Sequence, residues 1–267
     1  WIGTDNGLYR YDGSEFTLFS LDGDEDATKY SINCIYLTSD EKLYVGTDNY
    51  GLYMYDNGTF QRVSEMYNLG VSTINAMYED DNKNLWIAAS SGIFRLSSDG
   101  AEALADDVVS GLSVGNISGH GDYVYAIANN DILITVDPER HVSITNKSEY
   151  RVDDINSLYV DENGNRYYGS AGYSILKIGT DGKNEIINTG NLHGINKIYS
   201  DGDNIWALAD DGVGYISSKG NVTAIGGLSF NESMSDMIID FEGNYWFTSY
   251  RKGILQLERS KFQNVTM

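Results

Sequence analysis

The sequence predicts an all-β fold, a seven-bladed β-propeller of four-stranded antiparallel blades, and three observations lead to this prediction. An aromatic-led segment recurs along the chain, short apolar runs alternate with turn residues, and no window shows the sustained 3.6-residue apolar period of a helix. The clearest copies of the segment read WIGTDNGLYRYDG from Trp1 and YVGTDNYGLYMYDNG from Tyr44. A recurring unit of this kind indicates a repeat architecture.

The spacing of the copies predicts the number of blades. They begin near residues 1, 44, 86, 125, 167, 206 and 246, at intervals of 39 to 43 residues. A four-stranded propeller blade takes about 40–45 residues. A sandwich or a barrel would also have short strands, but not one repeated unit of this length. We therefore expect residues 1–267 to form a single propeller domain.

Each repeat contains four strand-like runs, which we name A to D in chain order. In the second repeat they span residues 32–37, 43–47, 52–55 and 60–63. The turns between A and B are acidic and rich in Asn and Gly, and pairs such as Asn57-Gly58 separate C from D. Such pairs supply the positive φ angles that tight hairpins need.

The B runs place a small residue two positions after a large aromatic, as in Trp1/Gly3, Tyr44/Gly46 and Trp86/Ala88. Neighbouring blades of a propeller pack face to face, so one large ring and one small gap in each blade suit that packing. We therefore predict that these aromatics belong to the core.

The chain opens on a B run, so the first blade should lack its innermost strand, A. Nothing precedes Trp1 to supply this strand, and we expect three strands there. The missing strand could come from upstream or downstream in a longer chain. Because the sequence also begins without Met, we expect it to be an excised part of a longer protein.

Composition and charge exclude several classes of function. The chain has 39 Asp and Glu against 18 Lys and Arg, a net charge of -21, which disfavours nucleic acid and anionic membrane surfaces. The single cysteine, Cys34, excludes an intrachain disulfide and a zinc site built on several cysteines. No run approaches the roughly 20 apolar residues of a membrane span.

Several segments resemble the repeat of the two-component regulator propeller family. Leu85–Leu96 and Trp1–Tyr11 are similar to that family's L-W-I-G-T-x-x-G-L-x-R-Y unit, and Ile74–Asp80 is similar to its V-x-A-I-x-E-D segment. The resemblance is strong in the first three copies and the last, and weak at Tyr125 and Trp206.

The resemblance implies a role. Propellers of this family form the extracytoplasmic sensor part of bacterial histidine kinases, hybrid two-component systems or diguanylate cyclases, often in tandem pairs, and several of these sensors respond to carbohydrates. It therefore implies a sensor domain on the extracellular or periplasmic face of the cell membrane, attached to the membrane through domains absent from this sequence. A neighbouring propeller and a receptor dimer partner are implied, and residues 254–265 resemble the end of the first propeller of a pair.

The predicted ligand site lies on the face shared by the B–C loops and the D–A connections. Function usually resides on loops that a rigid scaffold holds. Exposed tyrosines beside amides and carboxylates suit a sugar, because rings stack on apolar C–H faces and polar groups bind hydroxyls. The candidate ligand-binding residues are Asp48, Asn49, Tyr50, Asn130, Asp131, Tyr173, Asp211, Tyr250, Arg251 and Lys252.

These candidates leave structural alternatives open. A loop tyrosine either stacks on a ligand or packs against its neighbours, and Arg251 with Lys252 either binds an acidic group or neutralises nearby carboxylates. Asparagines recur near the start of strand A, where they either bind a ligand near the propeller axis or cap the irregular entry of the strand. They are Asn33, Asn75, Asn116, Asn156 and Asn196.

No catalytic residue, metal or cofactor is predicted. The run Asp22–Asp26 begins like a calcium loop, but Ala27 and Asn33 stand where that loop needs Gly and Glu. By the strand assignment His193 lies on one face, and His120 and His141 lie on the other, so they cannot form one acid–base site.

Two other classes of function remain. Gly243–Thr248 is similar to the G-N-x-W-F-T repeat of streptogramin lyases, which are seven-bladed enzymes. A propeller face can equally bind a protein, so a dimerisation or protein-interaction module without a small ligand is the main alternative.

Overall fold

The computed structural model describes residues 1–23, 25–104, 108–217, 220, 222–226 and 232–258. Seven small antiparallel sheets follow one another along the chain, each made of consecutive strands, and they are the blades of a seven-bladed β-propeller. The chain divides into two compact units, 1–146 with blades one to four and 147–267 with blades five to seven. The expectation of one domain over 1–267 stays a prediction.

The first unit contains fifteen of the described strands and two short helical segments. Blade one holds β1 (Ile2–Thr4), β2 (Gly7–Tyr11) and β3 (Phe16–Phe19), and blade two holds β4 (Ser31–Leu37), β5 (Leu43–Asp48), β6 (Leu52–Asp56) and β7 (Thr59–Arg62). Helix α1 (Val63–Met66) and a 3-10 turn at Ala27–Lys29 lie in connections. Blades three and four are β8 (Ile74–Glu79), β9 (Leu85–Ala89), β10 (Gly92–Ser97), β11 (Gly100–Ala103), β12 (Val114–His120), β13 (Tyr123–Ala128), β14 (Ile132–Val136) and β15 (Val142–Asn146).

The second unit repeats the pattern after a 3-10 turn at Lys147–Glu149. Blade five is β16 (Ile155–Val160), β17 (Arg166–Ser170), β18 (Ser174–Ile178) and β19 (Asn184–Asn188), and blade six is β20 (Ile195–Ser200), β21 (Ile205–Ala209), β22 (Gly212–Ile216) and β23 (Val222–Ala224). Blade seven is β24 (Met234–Ile239), β25 (Tyr245–Ser249) and β26 (Gly253–Leu257).

The predicted strands of the second repeat agree with the structure to within one residue at each end. The main difference is Val63, which was assigned to strand D but begins helix α1. Val63 is buried in the apolar cluster with Leu52 and Leu69, so the chain turns inward after β7 to bury it. The single turn of α1 is too short to produce a helical period in the sequence.

The expectation for the first blade is confirmed. β1, β2 and β3 occupy the B, C and D positions, and the blade has three strands. Three strands of blade seven are described, in the A, B and C positions. The part of the 254–265 segment beyond Glu258 lies outside the described residues.

Small residues on the B strands receive the first apolar side chain of the next blade's A strand. A Cβ atom placed on Gly3 would lie 2.6 Å from Cγ2 of Ile32, and one on Gly46 would lie 2.7 Å from Cγ2 of Ile74. In the second unit a Cβ on Gly169 would lie 2.7 Å from Cγ2 of Ile195. The gaps predicted from sequence are therefore present in both units, and an isoleucine of the next blade, rather than an aromatic ring, fills each of these three. Of the three B-strand aromatics predicted to be core, Tyr44 and Trp86 are buried, whereas Trp1 is 36% exposed.

A bulge follows this apolar residue in the A strands, where the strand register shifts by one residue. Its amide side chain bonds the next blade: Asn33 Nδ2 donates to the Ile74 carbonyl at 3.1 Å, and Asn75 Nδ2 donates to the Val114 carbonyl at 2.7 Å. Asn196 Nδ2 donates to the Met234 carbonyl at 3.2 Å. These asparagines thus link neighbouring A strands, a role that neither sequence alternative included. In β12 the bulge falls at Gly115, so Asn116 is one position further on.

The A–B turns use a second recurring hydrogen bond. In blades three, six and seven the indole of the B-strand Trp donates to an Asp of the turn at 2.8–2.9 Å; the pairs are Trp86/Asp80, Trp206/Asp201 and Trp246/Asp240. The same Asp accepts main-chain N–H bonds from inside the turn, as Asp240 does from Glu242 and Asn244. Part of the acid excess of the chain therefore supports the fold.

Gly46→Ala tests the packing between blades two and three. We expect the free energy of unfolding to fall by about 1–3 kcal/mol, because an added methyl group overfills a packed interior. Gly115→Ala is the matched control: a Cβ there meets no atom within 4 Å. Its unfolding free energy should change by less than about 0.5 kcal/mol. Urea denaturation measures both, and equal stability of the two variants would contradict the packing argument.

Asp240 makes stability depend on pH in acid. The hydrogen bond from the Trp246 indole, with those from Asn244 and Glu242, lowers the pKa of Asp240 to about 2. A carboxyl with a lowered pKa stabilises the fold above its unfolded pKa of about 3.9, and this contribution is lost as pH falls through the folded value. We expect the melting temperature of wild type to exceed that of Asp240→Asn at neutral pH, and this gap to shrink between pH 4 and pH 2. A gap that stays constant over this range would contradict the assignment.

Candidate functional site

Main-chain hydrogen bonds hold the B–C loops against the D–A connections in the first unit. The N–H of Gly51 donates to the Ser72 carbonyl at 2.6 Å, and the N–H of Ser90 donates to the Thr73 carbonyl at 3.1 Å. One blade further on, the N–H of Asn129 donates to the Ser113 carbonyl at 2.9 Å. The loops that were predicted to carry the ligand site are therefore supported by the backbone of the connections.

The first unit holds five of the ten candidate residues. Asp48 Oδ1 accepts a hydrogen bond from Thr73 Oγ1 at 3.1 Å, and Asn49 is exposed. Tyr50 is half-buried: its ring lies 4.9 Å from that of Tyr30, and its carbonyl accepts from Arg62 Nε at 2.8 Å. The structural alternative thus describes Tyr50 better than a free stacking surface does.

Asn130 and Asp131 lie in the tight turn after β13, which the bond from the Asp131 N–H to the Ala128 carbonyl closes. Asn129 and Asn130 both have positive φ, 52° and 57°, as a two-residue hairpin of this type requires. Asp131 Oδ2 accepts from Asn146 Nδ2 at 2.8 Å, which ties the turn to the end of β15. Asn130 is exposed.

In the second unit a continuous series of main-chain bonds runs along the loop face. The N–H of Gly194 donates to Gly172, that of Asp210 to His193, that of Ser233 to Asp210 and that of Tyr250 to Ser233, all at 2.6–3.1 Å. The series passes from the B–C loop of blade five through that of blade six to that of blade seven. It holds the loops of Tyr173, Asp211 and Tyr250 on one framework.

Four residues within this framework form a group that we call the Tyr173 cluster: Tyr173, His193, Asp210 and Asp211. The ring of Tyr173 lies 4.9 Å from that of His193, and the tyrosine is 54% exposed. Asp211 Oδ1 accepts from the main-chain N–H of His193 at 2.9 Å, and His193 Nδ1 lies 3.9 Å from Asp210 Oδ2. The cluster presents two aromatic rings beside two carboxylates.

Blade seven contributes the three remaining candidates. Tyr250 is 72% exposed, and the turn behind it is closed by Ser249 Oγ, which accepts from the main-chain N–H groups of Arg251 and Lys252. Lys252 Nζ lies 3.8 Å from Glu232 Oε2, and among the described residues no carboxylate pairs with the Arg251 guanidinium. Charge neutralisation therefore accounts for Lys252 but not for Arg251.

The sequence predicted that Tyr173, Asp211 and the adjacent Asp210 lie on this face, but it did not predict His193 as part of the site. The signal was present, because His193 was placed in the D–A connection that shares the loop face. The structure places His193 in that connection, His120 at the end of β12 and His141 in the β14–β15 turn, as expected.

The acidic segments that resembled cation sites have structural partners. Asp22 Oδ2 accepts hydrogen bonds from the hydroxyl groups of Tyr30 and Tyr53 at 2.9 and 2.8 Å. Burial is the main cause that raises the pKa of Tyr53, and the hydrogen bond to Asp22 raises it further. Asp24 lies outside the described residues.

A different group, Asp137, Glu139 and His141, brings its ligand atoms within 4.8 Å of one another in the β14–β15 turn. His141 Nδ1 lies 3.0 Å from Asp137 Oδ2, and its main-chain N–H also donates to Asp137. The hydrogen bonds between His141 and Asp137 within the turn are sufficient to explain why these side chains lie close together.

Comparison with protein families supports the resemblance noted in the sequence. Residues 68–91 match the family model described as the two component regulator propeller. This segment contains β8, β9 and the connection before them, which are the A and B strands of blade three. The chain therefore carries a repeat of this family there, and the predicted resemblance is confirmed.

Solved structures share the fold over nearly the whole chain. The extracellular domain described as that of hybrid two component system BT3049 of B. thetaiotaomicron superposes with a TM-score of 0.79 at 17% identity, covering 95% of this chain and 36% of that one. The corresponding domain of BT4673 from the same organism gives 0.76 at 21% identity, covering 98% and 37%. This chain thus spans little more than a third of those proteins' extracellular domains.

An enzyme of the same fold is also similar. Virginiamycin B lyase of Staphylococcus aureus gives a TM-score of 0.70 at 14% identity, covering 93% of this chain and 86% of that one. At these identities the likeness shows the fold. No curated protein matches the chain. In the part of the chain that the structure describes, no helix has the length and apolar character to cross a membrane.

Proposed function

We propose that this propeller is the extracellular ligand-sensing domain of a bacterial membrane signalling receptor, and that it binds a carbohydrate on its loop face. The Tyr173 cluster carries the proposal, because it joins an exposed ring to carboxylates on loops that the backbone holds in place. The regulator-propeller repeat at 68–91 and the likeness to extracellular domains of two-component systems support the receptor role.

The chemistry of the cluster favours a neutral sugar. The exposed ring of Tyr173 offers a surface for the apolar C–H face of a pyranose, and Asp210 and Asp211 offer acceptors for its hydroxyl groups. Carboxylates near the ring would repel an anionic ligand. Arg251 is the exception on this face, so we propose that an acidic substituent, if the ligand has one, is bound by Arg251.

The proposal includes the position of this domain in a full-length receptor. The chain would sit beside a second propeller and a receptor dimer partner, at the extracellular or periplasmic face of the membrane. We propose no enzymatic activity, because His193 is the one histidine in the described loop face and no second acid–base group is held at hydrogen-bonding distance from its ring. A protein-interaction propeller without a small ligand is the alternative function.

Thermal melting with a panel of mono- and oligosaccharides tests the proposal. A ligand that binds the folded state raises the melting temperature by mass action. For the sugar that produces a shift, Tyr173→Ala should weaken binding about tenfold, corresponding to about 1.4 kcal/mol. Asp211→Asn, which keeps an acceptor for the His193 N–H but removes the charge, should also weaken it.

Tyr123→Ala is the matched control, because Tyr123 is an exposed tyrosine beside an A–B turn rather than a B–C loop. It should bind the same sugar as well as wild type does. No shift with any sugar, together with dimerisation that grows with protein concentration in sedimentation experiments, would favour the protein-interaction role instead.

A further inference from the structure

The outer groove between blades three and four contains a cavity that the loop face does not include. Its volume is about 210 Å³, and it is lined by Trp86, Arg95, Glu102, Ala103, Leu104 and Arg140. Arg95 is the cross-strand partner of Trp86 on one side and of Glu102 on the other, so these three side chains form a row across β9, β10 and β11. Arg140 comes from the β14–β15 turn of blade four.

Two guanidinium groups share a single carboxylate in this cavity. Arg95 Nη2 lies 3.0 Å and Arg140 Nη1 lies 2.7 Å from the same oxygen, Glu102 Oε1. The Arg95 side chain is 20% exposed, and its buried Nε donates to no acceptor among the described residues. The described lining residues therefore carry one net positive charge, in a chain whose net charge is -21.

The next unit offers an internal comparison. Blade five has the equivalent row, Tyr167, Lys177 and Glu185, paired across β17, β18 and β19 in the same way. The groove beside it is also lined by Asp203, so its described charged residues sum to one net negative charge. An excess of cations is thus not a general property of these grooves, and at blades three and four it comes from Arg140.

We propose that the Arg95–Arg140 cavity binds a small organic carboxylate. The planar guanidinium groups match the two oxygens of a carboxylate, and Ala103, Leu104 and Trp86 supply an apolar wall for the rest of the molecule. About seven molecules of liquid water occupy a volume of this size. The cavity therefore suits a ligand the size of a monosaccharide acid or an aromatic acid. In this arrangement Glu102 competes with the ligand for the same two arginines.

The site is independent of the proposed sugar site. Arg140 lies in a C–D turn and Glu102 lies on a D strand, whereas the sugar proposal rests on B–C loops and D–A connections of the second unit. The proposal goes beyond the sensing role and stands whether or not a sugar binds.

Calorimetric titration of the whole chain with D-glucuronate and with benzoate tests the proposal, and D-glucose and benzamide serve as neutral counterparts. We expect at least one of the two carboxylates to bind and benzamide to produce no binding heat, with affinity falling as salt is added. Any heat from D-glucose should be the same in wild type and in Arg140→Gln. Arg140→Gln should weaken binding about tenfold or more. Glu102→Gln should strengthen it, because the competing carboxylate is gone.

Lys183→Gln is the matched control, since it removes one exposed positive charge from the equivalent C–D turn of blade five. It should leave the affinity unchanged. Arg140→Lys keeps the charge but loses the forked guanidinium group. Its affinity for the carboxylate should lie between those of wild type and Arg140→Gln. Absence of binding heat with both carboxylates, equal affinity in Arg140→Gln, or weaker affinity in Glu102→Gln would overturn the proposal, and melting curves of each variant confirm that it is folded.

Discussion

The packing of an A-strand apolar side chain into the gap left by a small B-strand residue of the preceding blade is the contact on which the rest of this structure depends. Ile32, Ile74 and Ile195 occupy these gaps, opposite Gly3, Gly46 and Gly169. Each such contact joins two consecutive blades. The bulged asparagines add one hydrogen bond across the same junctions and thereby set the register of one inner strand against the next.

Much of the fold could be predicted because the residues that define each blade recur from one repeat to the next. The aromatic of the B strand recurs with each blade, and Asn-Gly and Asp-Gly pairs mark several hairpins, so period and strand order follow from the sequence. The sequence could not show where a single residue in one repeat adopts a different local structure from its counterparts in the other repeats. Val63 reads as the end of a strand, but burial against Leu52 and Leu69 draws it into a helical turn. Asn116 resembles the other strand-A asparagines, but Gly115 takes the bulge.

The candidate site was less predictable for a related reason. Tyr50 and Tyr173 occupy similar places in their loops, and no local pattern separates a tyrosine that packs on Tyr30 from one that is 54% exposed. The difference depends on the connection that faces each loop, which is distant in sequence and has no repeat to identify it. Acid content was similarly uninformative, because Asp22, Asp80, Asp201 and Asp240 are engaged by tyrosine hydroxyls or by tryptophan indoles of the scaffold.

The loop face of the second unit is held by main-chain bonds from Gly172 to Tyr250, and these bonds do not involve side chains. At Tyr173, Tyr250 and Arg251 the main chain supports the loop, and the side chain is left to form the surface. If this face binds a ligand as proposed, substitutions at Tyr173, Tyr250 or Arg251 would alter what it recognises while the loops keep their positions. Under that proposal, the specificity of the surface could change by point mutation without any rebuilding of the propeller.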